Sequence, residues 1–111
     1  MIRRKLQAIS NRICQQLDIK SVLIRELSNT EDFLGLFFGY CCQTKKDTFI
    51  YMRFKNASNK RYTTRFLLSL YSHELAHGIL RSPFHGRKFK LTHRKIYRRV
   101  KKVYEKDLFS L

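Results

Sequence analysis

The sequence predicts an α+β domain: an N-terminal helix, a small, mostly antiparallel sheet of about three strands, a helix carrying HExxH, and a basic C-terminal helix. Three observations predict it. Apolar residues recur at helical spacing near both ends, short β-branched and aromatic runs fill the middle, and a helical stretch with two His four residues apart follows them. The chain has 111 residues, 43% of them apolar, with nine Phe and six Tyr, so a single domain over 1–111 with a modest core is expected. Four Gly and one Pro leave little room for linkers or low-complexity tracts.

Ile2, Leu6, Ile9, Ile13 and Leu17 recur every three or four residues and predict an amphipathic helix over 2–17. "SVLIREL" (21–27) is short and β-branched, a strand, and "NTED" (29–32) is a turn. "FLGLFFGYCC" (33–42) is a second extended segment, and "QTKKD" (43–47) turns it into "TFIYMRFK" (48–55) as a hairpin. That last strand alternates Phe49, Tyr51, Arg53 and Lys55 with Ile50, Met52 and Phe54. A connection over 56–64 leads into a helix from Thr63 to Arg81, with Leu68, Tyr71, Leu75 and Ile79 as its buried stripe. Ser82-Pro83 ends it, because proline disfavours helical geometry in the residue before it. Residues 85–108 are helical again, with Phe89, Ile96, Val100, Val103 and Tyr104 on the buried side.

His73 and His77 stand four apart on the predicted helix, so they share a face and can bind one ion. Glu74 follows His73 and is placed to reach a water rather than the ion itself. Catalytic zinc takes three protein ligands and keeps one position open. His85, eight residues past His77 and across a turn, is the expected third ligand; His93 is the rival and Glu105 a distant one. HExxH alone arises by chance in roughly one chain of this size in a hundred. The helical context and the third His raise its weight. A metzincin would need Gly and His where Leu80 and Pro83 stand, which excludes that class. Tyr71, Arg81 and His93 are all conceivable oxyanion donors, and no spacing argument chooses among them.

"FIYMRFK", then "FLLSLYSHELAH", then "FHGRKF" resembles the WLM family of small metalloproteases. It is also similar to the SprT/Spartan relatives, whose third ligand sits in an H-G-x-x-F context. The resemblance rests on Met52-Arg53-Phe54, on His73 to His77, and on His85 four residues before Phe89, and it covers about 33–98. It implies a minimal zincin-type domain, zinc (Zn2+) on His73, His77 and His85, and Glu74 as general base. It also implies action on proteins crosslinked to DNA or conjugated to ubiquitin-like modifiers. The His77–His85 stretch is about two residues longer than the usual WLM loop and shorter than in many SprT relatives. Placement between the two groups therefore stays open. No partner-recruiting motif of the family follows the domain before Leu111.

The net charge is +16, with 24 Lys/Arg against eight Asp/Glu. Such one-sided charge favours a polyanionic partner, nucleic acid first and an anionic membrane surface second. Arg94, Lys95, Arg98, Arg99, Lys101 and Lys102 form the densest set, with Arg3, Arg4 and Lys5 as a second. These are the expected contacts to DNA, single-stranded or bound without sequence choice. Phe37, Tyr40 or Tyr62 would be the rings to stack on unpaired bases, although most aromatics belong to the core. Cys14, Cys41 and Cys42 make no disulfide framework and read as small buried hydrophobes in a reducing setting. No signal-peptide core or spanning segment is present. The expected protein is an intracellular monomer of the nucleus or cytoplasm, without membrane partners. The leading reading is a zinc metallopeptidase. The alternative is a basic nucleic-acid-binding module with a structural or inactive metal site, and a weaker third is an inactive remnant or inhibitor.

Overall fold

The structure is a computed structural model that describes residues 1–27 and 38–109, with side-chain surroundings described through Lys106. In order it contains α1 (Arg3–Gln16), β1 (Val22–Glu26), β2 (Gly39–Gln43), β3 (Thr48–Met52), α2 (Thr64–Leu80) and α3 (Arg87–Phe109). This is the expected helix, sheet, helix, helix order. The predicted turn at 29–32 and the first half of the 33–42 segment lie outside the described residues.

The sheet runs β1-β3-β2 and is mixed. β2 and β3 form the expected hairpin, in which Thr44 accepts from the amides of Lys46 and Asp47 at 3.3 and 3.0 Å. β1 pairs with β3 rather than with β2. The chain reverses direction twice between β1 and β3, so that pairing is parallel, and the sheet is less antiparallel than the sequence suggests.

One face of the sheet packs on the helices. Val22, Ile24, Ile50 and Met52 are buried there and join Leu6, Ile9 and Ile13 of α1. Leu67, Leu68, Tyr71 and Leu75 of α2, with Phe89, Ile96, Val100 and Val103 of α3, complete the same cluster. The Tyr71 hydroxyl donates to Ser10 Oγ at 2.7 Å and ties α2 to α1 inside the core.

The outer edge of β1 is closed by a side chain. Gln7 Nε2 donates to the Val22 carbonyl at 2.8 Å, and the Ile24 amide donates to Gln7 Oε1 at 2.8 Å. One amide thus imitates a neighbouring strand and blunts an edge. Gln7→Ala strands both backbone groups and is expected to cost about 1–3 kcal/mol, read from urea unfolding.

Several sequence expectations are corrected. Ile2 lies outside α1 and is 50% exposed, because the helix begins only at Arg3. β3 stops at Met52, so the alternation ends there and both Arg53 and Phe54 are buried. Ile79 is 40% exposed: the last turn of α2 carries cleft-lining residues past the end of the core. Tyr104 is half-buried under the Lys5 ammonium, 5.3 Å from its ring centre. Cys14 is buried as expected, but Cys41 is half-buried and Cys42 exposed, since the alternation of β2 sends them to opposite sides of the sheet. No helix among the described residues is long and apolar enough to cross a membrane.

Candidate metal centre

α2 begins at Thr63, whose hydroxyl accepts from the Phe66 amide at 3.2 Å, an ordinary N-cap. Its end shapes the site. Arg81 adopts the left-handed conformation, with φ 51° and ψ 42°, and the chain turns back through Ser82 and Pro83. That reversal does two things. It aims the Ser82 carbonyl at His77, whose Nδ1–H donates to it at 2.8 Å. It also carries His85 round to face His73 and His77.

The three imidazoles meet through Nε2. His77 lies 3.2 Å from His73 and 3.0 Å from His85, and His85 lies 3.3 Å from His73. Hydrogen bonds cannot close such a triangle. Each neutral Nε2 either donates or accepts, so at least one edge of three sets like against like. His77 has its proton on Nδ1, held by Ser82, so its Nε2 presents a lone pair. Burial, then the neighbouring His77, His93 and His85, pull the His73 ring down to about 4, so it is neutral at pH 7. One cation satisfies all three edges at once. A tetrahedral ion with N ligands at the usual Zn–N length spaces them about 3.3 Å apart, close to what is observed. The three His can therefore hold a metal ion.

Phe89 supports all three rings. It is 5% exposed, stacks on His77 at 4.4 Å between ring centres, and meets His73 and His85 edge-on, each at 4.9 Å. The sequence marks Phe89 as core but gives no sign of this role, which depends on α3 crossing α2. Phe89→Leu keeps most of the apolar volume and loses the flat support. It is expected to weaken metal affinity about tenfold with the fold intact, measured by competition with a chromogenic chelator.

Glu74 lines the cleft in front of the imidazoles, of about 500 Å³, and a smaller one behind them, of about 350 Å³. It is 5% exposed, and the small exposed part of the residue opens on the clefts. Burial raises its pKa, and His77 opposes that in part. Cys41 also lines the front cleft. Burial and then Glu74 push its thiol up to about 11, so it is a neutral wall rather than a thiolate.

Compared with family models, curated proteins and solved structures, the chain matches none.

The remaining candidates separate clearly. His93 Nε2–H donates to the Ser69 carbonyl at 3.2 Å and stands outside the triangle. Glu105 is exposed, three turns further along α3. Of the three conceivable oxyanion donors, Tyr71 is fully buried and His93 sits behind His73, whereas Arg81 lines the front cleft. Arg94, Lys95, Arg98, Arg99, Lys101 and Lys102 are all exposed on α3. Phe37 lies outside the described residues, Tyr40 stacks on Tyr51, and Tyr62 packs with Phe38 and Phe66.

Proposed function

We propose that this chain is a zinc-dependent metallopeptidase of WLM or SprT type that acts on proteins bound or crosslinked to DNA. The observation that carries the reading is a carboxylate, Glu74, that lines the same cleft as three imidazoles meeting through Nε2. A structural site has no use for such a carboxylate, and a hydrolytic site does. Three imidazole nitrogen donors suit zinc. Bound there, zinc supplies Lewis acidity that brings a water's pKa to near neutrality and polarises a peptide carbonyl.

The chain's own residues account for the rest. Glu74 Oε takes a proton from the attacking water, helped by a pKa raised above the ordinary carboxylate range. It then returns that proton to the departing amine nitrogen. Among the described residues β2 is the outer strand of the sheet beside the cleft, where an extended substrate segment would lie along it and across the imidazoles. Arg81 offers a cation at the cleft wall for the carbonyl oxygen. The net charge of +16 supports DNA as the place of action.

The test is cleavage of a protein covalently attached to a DNA oligonucleotide. Cleavage should require zinc, stop with a chelator, return on adding zinc back, and weaken as salt rises. DNA binding that survives chelation, with no proteolysis under any condition, would support the binding-module alternative instead.

A further inference from the structure

The cations of α3 do not form one undivided surface. Lys95, Arg99, Lys102 and Lys106 follow at intervals of four, three and four residues, which sets them in one row along the helix. The row borders α1. Arg99 donates to Gln16 Oε1 at 3.4 Å, and Arg12, Gln16, Arg99, Lys102 and Lys106 line one cleft of about 650 Å³. All five are exposed, and no acidic side chain among the described residues lines the cleft.

Nothing in the metal centre calls for this arrangement. Lys102 lies about 20 Å along α3 from Phe89. Like charges set in one row along α3 repel, and a polyanion is what relieves them. The Lys95–Lys106 row is about 16 Å long, enough for several successive phosphates of one strand at about 3.4 Å of rise each. The cleft offers charge and glutamine amides, and among the described residues no aromatic ring lines it for stacking on an unpaired base. We propose that the α1–α3 cleft holds the phosphodiester backbone of duplex DNA, without reading its sequence. The proposal rests on the DNA part of the function given above and adds where the DNA sits: beside α1, remote from the imidazoles, where it tethers the protein and leaves the front cleft to the substrate.

The test is fluorescence anisotropy of a duplex of about 20 base pairs with the zinc-loaded full chain, over about 50 to 200 mM salt. Arg99→Gln with Lys102→Gln is expected to lower affinity about 10- to 100-fold and to flatten the slope of log K against log salt by about 2. Lys102→Gln with Lys106→Gln should reproduce that loss. The charge-matched control, Lys45→Gln with Lys46→Gln in the β2–β3 turn, should change affinity less than about threefold. Equal weakening by cleft and control pairs overturns the proposal, because the charge is then diffuse. Binding to anionic phospholipid vesicles that duplex DNA does not displace also overturns it. Glu74→Gln should bind the duplex as the parent does, so a failed peptidase reading leaves this binding in place.

Discussion

Glu74→Gln is expected to lower cleavage at least about a thousandfold, within the range of a lost general base, while zinc content stays at that of the parent. Glu74 is 5% exposed and faces the cleft rather than a structural partner, so its replacement leaves the packing of α2 in place. Glutamine has the same shape and removes a buried charge whose ionised form burial already disfavours. The fold should therefore be no less stable, and a circular-dichroism melt checks this. The amide cannot accept the water's proton. Single-turnover cleavage of a DNA-linked protein, with zinc measured on the same sample, separates the two effects. Parent-like cleavage by the variant would remove Glu74 from the chemistry.

His85→Ala is expected to cost at least about a hundredfold in zinc affinity and all measurable cleavage. The other two ligands share one rigid helix, and His85 alone closes the triangle from beyond Pro83. Zinc at about 100 times its Kd stabilises the folded chain by about 2.7 kcal/mol. The parent's melting temperature should thus rise with added zinc and the variant's should not. His93→Ala is the comparison: its ring serves the Ser69 carbonyl, and zinc affinity should stay close to the parent's. Loss of zinc in the His93 variant with retention in the His85 variant would reverse the ligand assignment.

What the sequence reveals follows the range of each interaction. His73, Glu74 and His77 are legible because a step of four on one helix is a local rule. The choice of His85 over His93 is not local. It depends on Arg81 turning left-handed, which swings His85 inward, and on α3 starting at Arg87, which commits His93 to the Ser69 carbonyl. The strands were legible from their β-branched and aromatic runs. Their order was not, since nothing in Val22–Glu26 says that its partner is Thr48–Met52. The roles of Gln7, Ser82 and Phe89 are invisible for the same reason: each acts on a residue brought near by packing. The basic row on α3 can be drawn on a helical wheel, but the cleft exists only because α1 lies beside it.

X-ray absorption at the zinc edge of the purified, zinc-loaded chain probes the convergence of the imidazoles most directly. The expected spectrum has three nitrogen neighbours at about 2.0–2.1 Å, one further light atom, and the multiple-scattering pattern of histidine rings. A sulfur neighbour at about 2.3 Å, or fewer than three imidazoles, would contradict a site built from His73, His77 and His85.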